Sequence, residues 1–75
     1  MTYQELEVLL RDNGFYPEQE VIEKKDSRKV TALHLNAFSF ARAELVEKRL
    51  KEVLPEVNYK AVYMPNDNYI SIVLK

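Results

Sequence analysis

Side chains that could do chemistry are few in this sequence. His34 is its only histidine, Gly14 its only glycine, and cysteine is absent. A zinc site draws on several Cys or His ligands, and a phosphate-cradling loop needs repeated glycines for close backbone approach. Neither can be assembled here. His34 lies inside Val30-Thr31-Ala32-Leu33-His34-Leu35, so its imidazole is expected to pack or to sit in an interface rather than to catalyse. No Ser or Thr stands in a nucleophile motif. Glu18, Glu20 and Glu23 gather near the start of a strand without a spacing that selects a reaction. Asn66-Asp67-Asn68 resembles a fragment of a calcium loop but lacks the following Gly and the terminal Glu, and it reads as a plain turn. The expectation is a protein that is not an enzyme, with no cofactor and no metal.

Charge carries somewhat more. The 75 residues hold 11 Lys and Arg against 12 Asp and Glu, a net charge of −1, so bulk attraction to nucleic acid or anionic membrane is not expected. The distribution is uneven. Residues 1–23 carry Glu5, Glu7, Asp12, Glu18, Glu20 and Glu23 against Arg11 alone, a balance of −5. Residues 24–29 carry Lys24, Lys25, Arg28 and Lys29 against Asp26, a balance of +3. These four basic residues, at a hairpin tip, are the candidates for phosphate contact.

The elements that must position these groups follow from periodicity. Thr2 and Glu5 have capping-box spacing, and a helix from Tyr3 to Asn13 with Leu6, Leu9 and Leu10 on one side should end at Gly14. Pro17 prevents its resumption. Val21–Lys25 and Lys29–Leu35 read as two strands. A second helix spans Ser39 to Leu54, with Ala43, Val46, Leu50, Val53 and Leu54 on one face, Glu44→Lys48 and Glu47→Lys51 on the other. Tyr59–Met64 and Asn68–Leu74 form a final hairpin about the turn Met64-Pro65-Asn66-Asp67. The order is α-β-β-α-β-β, an α+β domain over residues 1–75, with a four-stranded antiparallel sheet and both helices on one face. A shift of about forty residues superposes the hydrophobic patterns, which suggests an αββ pseudo-repeat over 1–36 and 37–75.

Strand alternation then divides the side chains. Ile22, Leu33, Leu35, Val62, Met64, Ile70, Ile72 and Leu74 are assigned to the core. Val30, Ala32, His34, Tyr59, Ala61, Tyr63, Tyr69, Ser71 and Val73 fall on the side that no helix remains to cover. That face is aromatic and small-apolar where Lys, Glu and Thr would be usual, which marks a contact surface. Val8 and Leu45 point outward from their helices.

The expected function is a small protein-interaction module, acting as a homodimer or as a small inhibitor or adaptor. Its candidate interface residues are Tyr59, Tyr63, Tyr69, Val73, His34 and Val30. The alternative is single-stranded nucleic-acid binding, with sheet tyrosines stacking bases beside Lys24, Lys25, Arg28 and Lys29. No stretch approaches the ~18–20 apolar residues of a membrane helix. The opening Met1-Thr2-Tyr3-Gln4-Glu5 lacks the basic and apolar regions of a secretory leader, and the expected setting is the cytoplasm. The composition suits a phage or mobile-element product.

Overall fold

The computed structural model describes all 75 residues. Its elements are α1 (Tyr3–Asp12), β1 (Glu18–Lys24), β2 (Ser27–Asn36), α2 (Phe40–Val53), β3 (Tyr59–Met64) and β4 (Tyr69–Leu74). The strands form one antiparallel sheet in the order β1-β2-β4-β3, and the α+β class and element order are those expected. Each hairpin contributes one central and one edge strand.

Local chemistry sets the helix ends. Thr2 Oγ1 accepts from the Glu5 amide while Glu5 accepts from the Thr2 amide, completing the capping box. At the other end the Phe15 amide donates to the Leu10 carbonyl and the Gly14 amide to that of Arg11. This Schellman arrangement needs a left-handed residue, and Gly14 supplies it at φ 86°. Ser39 caps α2 by accepting from the Arg42 amide. The ion pair formed on α2 is Arg49–Glu52 at 3.2 Å, rather than either Glu→Lys pair expected from spacing.

The core lies between the helices and one side of the sheet. Leu6 and Leu10 of α1, Leu50 of α2, Leu33 of β2, and Ile70 and Ile72 of β4 are fully buried. Only 13 of the 75 residues are buried, a small core whose stability an additional contact surface would raise appreciably.

Two features correct the expected face assignments. The first is a bulge. Glu20 pairs with Ala32, but the next residue, Val21, pairs with Val30, so Thr31 is an extra residue in β2. Strict alternation fails there. Val30 turns toward the core instead of the open face, and Ile22, expected inside, is exposed. The second is the register of β3. Tyr63 pairs with Ile70 and Ala61 with Ile72, and directly opposed residues share a face. Tyr59, Ala61 and Tyr63 therefore pack against the core, whereas Val62 and Met64 lie outside. β3 carries apolar residues on both sides, and its one charge, Lys60, keeps the side of Val62 and Met64 toward solvent. Inward tyrosines bury more area and leave their hydroxyls at the rim.

The strand bounds also differ. β1 begins at Glu18, three residues before the expected start, because the ten-residue β2 offers pairing partners as far as His34. The turn after β3 has the expected hydrogen bond, Asp67 amide to Met64 carbonyl at 3.2 Å, followed by Asn68 at φ 55°. Asn tolerates that left-handed conformation better than most residues.

Candidate functional site: the open face of the sheet

Three of the six proposed interface residues, His34, Tyr69 and Val73, lie on the uncovered side. Tyr59, Tyr63 and Val30 do not. In their place the structure brings Ile22, Val62 and Met64 to that side. Ile22, Val62, Val73 and Met64 are 47%, 41%, 39% and 36% exposed, although each stands within a strand. The uncovered face thus keeps its apolar character with a different membership.

Register places these groups in rows across the sheet. One row runs Glu18, His34, Ser71, Val62. The next runs Glu20, Ala32, Val73, Lys60, where Ala32 falls opposite Val73 by continuing the Leu33↔Ile72 register. On the other side of the first row stand Asn36, Tyr69 and Met64. Ala32 is buried but outside the core cluster, shielded by its neighbours on this face. Away from the β1–β2 turn the edges differ in sign, β1 supplying Glu18 and Glu20 and β3 supplying Lys60, while Lys24 and Lys29 stand beside Ile22 near the turn.

A polar cluster is built across three strands. His34 Nε2–H donates to Glu20 Oε2 at 2.9 Å, and the His34 ring stacks on Tyr69 with centroids 3.9 Å apart and planes within 12°. Both contacts are diagonal neighbours on one face, which is within reach of long and aromatic side chains. The imidazole is thereby held at one nitrogen and one ring face.

The bulge is tied down from the helical side. Continuing the β2–β4 register would set Thr31 opposite Leu74, but the Tyr3 hydroxyl stands between them. It donates to the Thr31 carbonyl and accepts from the Leu74 amide, each at 2.9 Å. Burial, and secondarily the charge of Glu47, raises the Tyr59 phenol above the usual tyrosine range.

Lys24, Lys25, Arg28 and Lys29 are exposed about the β1–β2 turn, with Lys25 at φ 47°. His34 lies seven residues further along β2 from Ser27, roughly 20 Å at strand rise. The basic tip and the one open-face tyrosine, Tyr69, consequently stand toward opposite ends of the sheet. With Tyr59 and Tyr63 packed on the helical side, the proposed stacking platform for bases is reduced to a ring that already holds His34.

Two exposed aromatics escaped the sequence reading. Phe38 and Phe40, which flank the Ser39 cap, are 76% and 67% exposed. Their positions off the Ala43–Val46–Leu50 stripe were the available signal. Phe40 meets Tyr63 edge-on at 6.2 Å. Val8 and Leu45 are exposed, as their helical positions imply.

Other hollows are shallow. One of about 350 Å³ lies beside α2 and β3 among Glu47, Lys51, Tyr59 and Ala61. No group of three His, Asp or Glu residues is disposed to hold a metal ion. No helix is long and apolar enough to cross a membrane. The chain matches no family model, and comparison with curated proteins and with solved structures finds no match.

Proposed function

We propose that this protein is a small interaction module whose contact surface is the open face of its sheet, acting as a homodimer or as an inhibitor or adaptor of another protein. The observation that carries this reading is the exposure of Ile22, Val62, Met64 and Val73 on strands, around Ala32, Tyr69 and Ser71, with no element above them. Val62, Met64 and Val73 adjoin beside Ser71 and Tyr69, whereas Ile22 stands apart among Lys24, Ser27, Lys29 and Thr31; exposed apolar surface on a sheet marks contact sites on small domains.

Sedimentation of the wild type and of a Val62→Glu/Val73→Glu variant tests the reading, together with capture from an extract of the native cells using each as bait. Association, with itself or with a partner, is expected for the wild type and for Leu45→Ser, and is expected to disappear in the open-face variant. Association that survives Val62→Glu/Val73→Glu overturns the reading, as does its absence from every sample.

A further inference from the structure

The row Glu20, Ala32, Val73, Lys60 has an acid at one end, a base at the other and small apolar groups between. Glu20 and Lys60 are three strand spacings apart, roughly 14 Å, too far to pair within one chain. Lys60 makes no ion pair, and Glu20 is engaged only by His34. We propose that the open face binds a second copy of this chain, sheet against sheet, about a twofold axis parallel to the strands. This rests on the reading of the open face as a contact surface and adds its occupant and orientation.

The charges select the axis. Rotation about a line along the strands, between β2 and β4, lays β1 of one copy over β3 of the other. Glu20 then meets the second copy's Lys60, Lys60 meets its Glu20, and Ala32 meets Val73. In the neighbouring row His34 comes over Ser71 while Glu18 comes over Val62 at the rim, and in the row beyond Tyr69 comes over Asn36. An in-plane axis across the strands would instead lay β1 over β1 and bring Glu18 and Glu20 against their own copies. Like charges so placed oppose association. The isologous form follows the commonest symmetry of homo-oligomers, and sheets pack face to face at about 10 Å with strands roughly aligned. Four strands of about six residues give a face roughly 20 Å square, so the pair buries on the order of 1,000 Å² in total. That is the lower end of specific interfaces and implies a reversible dimer.

Dimer dissociation constants measured by sedimentation equilibrium for wild type, Glu20→Lys, Lys60→Glu and the double variant test this, with thermal melts confirming that each is folded. Each single reversal is expected to weaken the dimer about tenfold, since two symmetric pairs are lost, and the double reversal to restore it to within about threefold. A Glu20→Gln variant separates loss of charge from loss of the His34 bond, and is expected to weaken the dimer less than Glu20→Lys does. If Val62→Glu/Val73→Glu abolishes the dimer but the double reversal fails to restore what the single reversals lose, the orientation is overturned while the contact surface stands. A wild type that is monomeric at every concentration overturns the second copy as occupant. A dimer indifferent to Val62→Glu/Val73→Glu overturns the reading of the face itself.

Discussion

The imidazole of His34 lies flat on the ring of Tyr69, 3.9 Å between centroids and 12° from parallel, while its Nε2 reaches Glu20 on the strand beyond. Three strands are thereby joined on the side of the sheet that has no helix. An offset or stacked aromatic pair adds about 0.5–1.5 kcal/mol beyond burial, and a hydrogen bond to a charged group somewhat more. His34→Ala should therefore cost about 1–2 kcal/mol in urea unfolding. A double-mutant cycle with Tyr69→Ala should return a coupling of about 1 kcal/mol; additive single losses would show that the rings do not support one another.

Tyr3 performs a comparable task on the other side. Its hydroxyl takes the place of a direct Leu74-to-Thr31 bond where the β2 bulge opens the ladder. Tyr3→Phe keeps the ring but leaves a part-buried amide and carbonyl without their partner. A loss of about 2 kcal/mol is expected, with faster amide exchange at Leu74. Unchanged exchange at Leu74 would argue that water replaces the hydroxyl freely.

Tyr59 makes alkaline pH informative. Its phenol is raised above the ordinary tyrosine value of 10.0, first by burial and then by Glu47. Between the unfolded and folded pKa values the native state holds a proton that the unfolded state has released, so stability falls as pH rises through that interval. The stabilising difference is fully present below the unfolded value. Spectrophotometric titration should show a phenol ionising above 10.0, and Tyr59→Phe should remove that phase and flatten the alkaline loss of stability.

The inversion of β3 gives a sharp contrast between adjacent residues. Tyr63 packs on the core and Val62 does not. Tyr63→Ala should cost about 3 kcal/mol in the monomer. Val62→Ser should cost about 0.5 kcal/mol, the scale of strand propensity alone. The opposite ranking would return β3 to the orientation that hydropathy suggests.

That contrast also shows where the sequence was legible. Both helices, their Thr2 and Ser39 caps and the Gly14 stop are local signals, written within a turn of where they act, and they lie where expected. The hairpins were equally readable as elements. Their faces were not. Parity along β1 and β2 depends on one extra residue, Thr31, which no local propensity marks, and its bulge is held by Tyr3 from 28 residues away. In β3 the available signal was the single charge Lys60, which sets Val62 and Met64 on the solvent side, as the register with β4 does. The uncovered apolar surface was inferred from strand alternation, but apolar residues stand at both parities of these strands. It therefore keeps its character even though Tyr59, Tyr63 and Val30 exchange places with Ile22, Val62 and Met64.

The central claim is that the open face is where this protein makes contact, with a second copy as its occupant. Amide spectra of the ¹⁵N-labelled chain, followed from dilute to concentrated solution, test it residue by residue. Concentration-dependent shifts should gather at Ala32, His34, Val62, Tyr69, Ser71 and Val73 and spare Val8 and Leu45 on the helices. Shifts confined to α1 and α2, or a spectrum unchanged over the whole range, would contradict it.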